Sequence, residues 1–492
     1  MRIEPTTAEK ALWRSNPQGF TGVYVAVHLP ATVLTSTLTA APAFPADGTG
    51  VADLTVASSA GALAGQTVMF STPTDNVFPS INGYGRFGRV RKNPTVGTTL
   101  NVGATGENDF GYYNGQTFRV INQYYPTAKF KRYDGAAWQA DYDIAYANQN
   151  DTAMPPQAQF GCTNIIYANG SQTFYFDATR SRAWASGASI SSYLYTFPDG
   201  TTAATAIATW ATSTAYPDGV YVKLVVTDSN GITATTRRLL FKFDDSNPPE
   251  FKIVTDSISG KFSDGCTAKF RIRTTTTDTG FKYAAPYGEA SWVKIQDRAH
   301  IIIFGNFTYG TTAQNIGGNT IYGTNILFDG YIIGETIKAY PEFGEVEFEA
   351  QTIDSILKSI RAAPLSLTRT AGAGANWTEM RDITIAAALW HFIGFYTNLA
   401  ELCDVDIFQL QAPAGAISDV IMFADIEGDT IWAMMQKMAS WLPGGVVSVD
   451  SQGSIYIEQD VSMFTSYPYS PYDTGVMMTT DDFVSELSYT RD

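Results

Sequence analysis

A chain of 492 residues is longer than one hydrophobic core can organise, which predicts three or four domains. A net charge of −15 opposes phosphate neutralisation, excluding nucleic acid as the partner of the chain as a whole. No run of about 18 apolar residues occurs and MRIEPTTAEKALW lacks an apolar leader core, so neither a membrane-spanning helix nor a signal peptide is expected.

The 45% apolar and 13% aromatic content, with 42 glycines and many Thr, Tyr and Phe residues, predicts a mainly β multidomain protein. Only 16% of residues are charged, which fits either a surface covered by neighbouring subunits or a solvated Ser/Thr-rich one. Cys162, Cys266 and Cys403 have no CxxC spacing and read as reduced thiols of a protein folded in a cytoplasm.

Residues 1–155 alternate short strand-like runs with turns: TGVYVAVHL (21–29), VADLTVASSAG (51–61), GQTVMFS (65–71), GRVRK (88–92), TTLNVG (98–103) and QTFRVI (116–121). This is all-β grammar, with a small barrel module predicted from about residue 51 to 103. ANQNDTAMPPQAQ (147–159) reads as a linker.

Residues 160–247 form the next unit. FYFDATRS (174–181), YLYTFPDG (193–200) and YPDGVYVKLVVTDSNGITAT (216–235) carry it, with Val220, Val222, Leu224 and Val226 on one strand face and a turn at Asp228–Gly231. These runs resemble the FDAS, WDFGDG and YxxxGxYxVxLxVxDxxG motifs of PKD-type immunoglobulin-like domains, which implies a β-sandwich. Tyr195, Thr196 and Pro198 stand where that family has Trp, Asp and Gly, so a metal role for the domain is not implied. Asp177 and Asp228 are conceivable Ca²⁺ ligands, but Asx-type turn bonding is their simpler role.

Residues 248–365 open with FKIVTDSISGKFSDGCTAKFRIRTTT (251–276) and ASWVKIQDRAHIIIFGNFTYGTT (290–312). From Phe328 the pattern is a hairpin with a turn at Pro341–Gly344, placing Val346 and Phe348 inward and Glu345, Glu347 and Glu349 outward. Ile353, Ile356, Leu357 and Ile360 then lie on one helical face, expected to seal the barrel end. In residues 366–492 a helix is expected over 377–402, capped by Asp382 or Thr384, with Ile385, Leu389, Phe392 and Tyr396 on one face. GDTIWAMMQKMASWL (428–442) is a second helix, stopped by Pro443-Gly444-Gly445 and followed by a hairpin around Asp450–Gly453.

The order S-D-G turn, WVKIQD, IIIFG, FDGYIIG, EVEFEAQTIDSIL, helix, Gly stop and hairpin resembles tail-hub and baseplate-hub proteins of phages and related injection machines over residues 250–492. The resemblance implies a barrel with one end in a ring, an α/β C-terminal module, a trimer, and tail-tube and tail-tip or fibre proteins as partners. It further implies a virion location after assembly in the host cytoplasm, with DNA only as passing cargo, and the PKD-like domain as a decoration touching a neighbour or a host-surface glycan. The fold class expected is therefore mainly β: small β-barrels, an Ig-like β-sandwich and an α/β module.

Chemistry-bearing motifs are sparse. Gly83-Tyr84-Gly85-Arg86-Phe87-Gly88 matches G-x-G-x-x-G, but VRKNP follows where a dinucleotide site needs a helix. Arg86, Arg89, Arg91 and Lys92 beside Tyr84 and Phe87 could touch a nucleic-acid strand, and pairing with neighbouring carboxylates explains them more simply. His28, His300 and His391 have no second His, Cys or acid at ligand spacing, and H-E-x-x-H and G-x-S-x-G are absent. Asp404/Asp406 and Asp481/Asp482 are pairs expected by chance, as are the N-x-S/T matches at Asn169, Asn306 and Asn376.

Ile431, Trp432, Met434, Met435, Met438 and Trp441 read as helix core, with Trp432 or Trp441 reaching a subunit partner. No catalytic, cofactor or metal residue is assigned, and the expectation is a structural, non-enzymatic virion component. The alternatives are a secreted adhesin or carbohydrate-binding array, and a tail-associated cell-wall hydrolase.

Overall fold

The computed structural model describes residues 23–40, 51–70, 86–91, 93–104, 115–124, 131–133, 138–140, 155–162, 165–167, 171–185, 187–244, 246–247, 249, 251–261, 265–274, 295, 298–305, 312–316, 319–323, 325–340, 345–359, 383–384, 389–390, 393, 399–402, 405–406, 420–421, 429–441, 445–449 and 453–459. The chain is a mainly β multidomain protein built on antiparallel sheets. Strand β1 (Val23–Val27) comes first, and its partners lie far downstream. Strands β2 (Thr32–Thr37), β3 (Val51–Thr55), β4 (Thr67–Phe70), β5 (Arg86–Val90), β6 (Thr99–Ala104) and β7 (Thr117–Ile121) form one sheet in the order β2-β7-β4-β5-β6-β3. Its two edges meet at a Leu38–Val56 bridge, so the sheet curls into the small barrel that the sequence predicts. Alternate residues Val68 and Phe70, Leu100 and Val102, Phe118 and Val120 fill its core. A short hairpin follows, β8 (Lys131–Tyr133) and β9 (Trp138–Ala140).

The sandwich has two sheets. One contains β10 (Gly161–Cys162), β12 (Gln172–Asp177) and β15 (Ile207–Thr212). The other runs β11 (Ile165–Tyr167), β17 (Thr233–Phe243), β16 (Tyr216–Asp228), β13 (Ile190–Thr196) and β14 (Thr202–Ala203). Val222, Leu224 and Val226 point inward as their spacing predicts, against Phe160, Phe174, Phe176 and Trp210. Tyr195 is buried among Phe160, Phe176 and Phe197, and its hydroxyl donates to the Ala206 carbonyl at 3.1 Å. A smaller aromatic thus fills the usual Trp position, with its polar tip satisfied.

The third unit is a closed barrel. Its strands are β1, β18 (Phe251–Lys261), β19 (Gly265–Thr274), β24 (Glu345–Gln351), β23 (Asn325–Tyr340) and β20 (His300–Gly305), in that order around the ring. A hairpin, β21 (Thr312–Ile316) and β22 (Asn319–Gly323), lies between β20 and β23 in the chain. The pairings cut across the linear division at residues 155 and 248. Strand β1 closes the seam between β18 and β20, with Val25 opposite both Phe251 and Ile303. The small barrel and the sandwich are therefore inserted after the first strand of this barrel.

Strand β20 explains the unbroken IIIF run. Ile301 and Ile303 face the barrel core beside Val25, Val27, Phe328 and Phe348. Ile302 and Phe304 face outward, where Ala26 and the sandwich residues Leu239, Phe241 and Phe243 bury them. A strand covered on both faces has no reason to alternate.

On β24, Val346 and Phe348 are buried in the barrel as predicted, with Phe270 and Phe348 ring centroids 4.3 Å apart. The opposite face is less solvated than its glutamates imply. Glu345 is buried, and Arg271 reaches Glu345 at 3.5 Å and Glu347 at 3.1 Å while stacking over Tyr340. The turn at 341–344 lies outside the described residues.

Helix α1 (Asp354–Ser359) follows β24 directly, with Ile353 and Leu357 buried, while Ile360 lies outside the described residues. Its Asp354 carboxylate accepts from Thr352 and Lys358 and fills the space beside Gly265. Downstream, Ile383–Thr384 is strand β25, whose backbone pairs with β27 (Val420–Ile421), while Asp382 and residues 385–388 lie outside the described residues. Of the helix expected over 377–402, residues 389–390 and 393 are helical and Leu399–Glu401 is a 3₁₀ turn.

Helix α2 (Ile431–Ala439) is capped by Thr430, whose side chain accepts from the Ala433 amide. Of the two tryptophans expected to offer a partner contact, Trp432 is buried within the chain, beneath the Lys358 ammonium of α1, and Trp441 is 42% exposed. Strands β28 (Gly445–Val449) and β29 (Ile455–Gln459) form the expected hairpin, and β26 (Val405–Asp406) joins β29 in parallel.

Gly265 tests the β24-to-α1 step. Its φ of +74° and the Asp354 oxygens within 2.3 Å of any added Cβ leave no room for a side chain. Gly265→Ala should lower stability by about 1–3 kcal/mol from the backbone alone, more with the overlap, measured by urea denaturation of the full chain.

Candidate functional site at the domain junction

Polar and titratable side chains from the three β units and the C-terminal module gather where these units meet. The chain leaves β1 at His28, whose amide donates to the His300 carbonyl at 3.0 Å. His28 Nδ1 lies 2.9 Å from the Asp218 carbonyl, and its ring meets Tyr221 edge-on at 5.1 Å. Gly219, with φ +79°, allows this approach: a Cβ there would come within 3.0 Å of His28 Nδ1 and 2.9 Å of Leu239 and Phe241. Burial pulls the His28 pKa down to about 4, against the opposing pull of the Asp218 and Asn122 backbone.

Beyond Tyr221 lies Tyr124 of the small barrel, edge-on at 5.4 Å, and over Tyr124 sits the Arg237 guanidinium at 4.1 Å. Arg237 Nη1 pairs with Glu401 Oε2 at 2.7 Å, joining the sandwich to the C-terminal module. Arg89 of β5 and Arg91 just after it are buried close by. Burial pulls Arg89 down to about 9, with Arg91 and Arg237 adding to that and Glu401 opposing it. Lys223 is lowered by burial and by Arg237, and raised by Glu401. One carboxylate therefore faces cations from two β units.

A second seam joins the sandwich to the C-terminal module. Residues 155–159, expected to be linker, are buried. Gln157 exchanges backbone bonds with Arg182, donates through Nε2 to the Val405 carbonyl and accepts from Trp184 Nε1. Trp390 donates to the Pro155 carbonyl and stacks on Trp184 at 6.5 Å. Proline and glutamine composition fits a hydrogen-bonded seam as well as it fits a linker.

His300 gains in space the acid its sequence neighbourhood lacks: its Nε2 lies 2.6 Å from Asp329 Oδ1, and its ring stacks on Tyr331 at 4.7 Å. The pair orients an imidazole, which is one part of an acid–base site. Asp177 and Asp228 act as turn acceptors, Asp177 for Thr179 and Asp228 for the amides of Asn230 and Ile232. Among the described residues no group of three or more His, Cys, Asp or Glu is placed to hold a metal ion. Cys162 is buried and Cys266 partly exposed, both free thiols.

Of the basic cluster, Arg89 and Arg91 turn inward, which removes them from a nucleic-acid surface; Tyr84 and Lys92, and the side chains of Arg86 and Phe87, lie outside the described residues. So do His391, Cys403, Asp404, Asp481, Asp482, Asn169, Asn306 and Asn376, and the side chain of Asp406. No helix among the described residues is long and apolar enough to cross a membrane. The junction residues Glu401, Arg237, Tyr124 and Gln157 carry no sequence signal, because each is drawn from a different unit and none belongs to a motif.

No protein-family model and no curated protein matches this chain. Among solved structures it is similar to the PKD1 domain of the Vibrio cholerae metalloprotease PrtV, at 28% identity over 18% of this chain and 96% of that one, with a TM-score of 0.15. It is also similar to a tail protein from Neisseria meningitidis MC58, at 12% identity over 42% of this chain and 45% of that one, with a TM-score of 0.24. A carbohydrate-binding module of the β-sandwich superfamily matches at 11% identity over 40% of this chain and 92% of that one, with a TM-score of 0.17. At these TM-scores none of the likenesses assigns a family or an activity.

Glu401→Gln keeps the shape of the junction but leaves the cations of Arg237 and Arg89 without their carboxylate. The expected loss is about 3 kcal/mol, the cost of breaking a largely buried pair from one side. Denaturant unfolding of the variant beside wild type measures it, and an unchanged midpoint would show that Glu401 is not what holds the junction.

Proposed function

We propose that this chain is a structural component of a phage tail or a phage-derived injection particle, acting at the hub that joins tail tube to tail tip. The observation that carries the reading is the closed barrel with two folded domains inserted after its first strand, the sandwich tied back to it by a buried apolar seam and by the His28 and Leu29 bonds to the Asp218 carbonyl. Such a body transmits force between neighbours without internal hinges at those seams. In this reading it assembles as a symmetric oligomer, a trimer, with the exposed Trp441 and the exposed Val33, Leu63 and Val96 of the small barrel available to neighbouring copies or tail proteins.

The role proposed is non-enzymatic, with the sandwich as a peripheral element that meets a neighbour or a host-surface glycan. The His300–Asp329 pair is then a structural tie on the barrel wall, stacked on Tyr331.

Light scattering at micromolar concentration and negative-stain images of the particle that carries the chain test the hub reading. A ring or trimer at the tube–tip joint is expected; a monomer that never associates with tail particles would sink it. Zymography against peptidoglycan is expected to show no clearing. A clearing zone abolished by His300→Gln would replace the structural reading with a wall hydrolase.

A further inference from the structure

Two of the chain's three histidines meet at the junction through a backbone hydrogen bond, and their surroundings differ in kind. His300 has a carboxylate, Asp329, whose Oδ1 lies 2.6 Å from its Nε2. Among the described residues, His28 has none in contact. The groups facing it are the Asp218 carbonyl and Tyr221 from β16, His300 from β20 and the Asn122 backbone from the segment after β7, with Gly219 beside its Nδ1. The carboxylate that bears on its charge is that of Asp218, whose pull is smaller than the desolvation of the ring. Past Tyr124 the charge is that of Arg237, already committed to Glu401.

We propose that His28 is an acid-sensitive pin: neutral, it locks the barrel to the sandwich and the small barrel, and its protonation beside His300 opens that three-way junction while each β unit stays folded. The geometry demands opening, because a charged imidazole at this site has no carboxylate in contact and no route to water while Gly219, Leu239 and Phe241 close over it. The direction follows from linkage. A histidine whose pKa is depressed from 6.5 to about 4 in the closed state binds its proton more tightly once open. The closed junction is therefore at full strength above pH 6.5 and is lost progressively as pH falls toward 4.

Hydrogen exchange on the full chain between pH 7 and 4 tests this. The protection factor of the Leu29 amide, whose hydrogen bond to the Asp218 carbonyl crosses the junction, should fall by up to about tenfold per pH unit below pH 6.5, the slope for one proton. Protection factors in the sandwich and barrel cores should stay level. In His28→Gln the Leu29 amide should lose that pH dependence, whereas His300→Gln should keep it. Wild type labelled with ¹³C at histidine supplies a readout that needs no variant to fold. One imidazole is expected to stay neutral well below pH 6 and to take its proton together with the loss of protection. Equal acid sensitivity in His28→Gln, three imidazoles titrating near the ordinary value, or core protection falling in step with the junction would each overturn the proposal.

Discussion

Everything in this architecture depends on one strand that has no face to offer to water. The four residues Ile301 to Phe304 are buried in two directions: Ile301 and Ile303 in the barrel, Ile302 and Phe304 beneath the sandwich. Burying such side chains contributes about 1.5–3 kcal/mol each, so a barrel that folded with Ile302 and Phe304 exposed would carry an apolar stripe along its wall. Strand β17 covers that stripe. Its two faces divide the work: Leu240 lies in the sandwich core, while Leu239, Phe241 and Phe243 cover the barrel. The two domains are thus joined by a shared strand rather than by a linker, and the polar contacts around His28, Tyr124 and Arg237 surround that apolar seam.

The polar part of the junction follows a different logic. Buried cations from the small barrel and the sandwich gather around Glu401, and a histidine is held neutral against backbone oxygens. Replacing such groups by hydrocarbon is often neutral or stabilising in general, so their presence is weak evidence for stability as such. What they impose is fit: each group must find its partner across a domain boundary, which leaves only one mutual arrangement satisfied.

Local grammar was readable wherever one face of an element decided it. The inward Val346 and Phe348, the sandwich face of Val222, Leu224 and Val226, and the Asp228 turn all follow from spacing alone. The resemblance of residues 160–247 to PKD-type domains carried the sandwich, and Tyr195 in place of Trp changed its core without changing its plan. Non-local choices were not readable. VYVAV suits any small barrel, and only the open seam between β18 and β20 assigns it. Pro155–Gln159 has linker composition because the same residues suit solvent and a hydrogen-bonded seam. His300 and Asp329 are far apart in sequence, on neighbouring strands offset along the barrel, so no spacing rule brings them together.

The place of β1 in the ring also orders events in time. The strand is synthesised first and its two partners, β18 and β20, emerge only after the whole of the small barrel and the sandwich. Those inserted units close through nearer contacts and can fold while the ribosome is still reading, whereas the barrel cannot close until β24, which ends at Gln351, is free. Until then VYVAV is an unpaired apolar edge, held close to its eventual site only by domains that have already folded behind it.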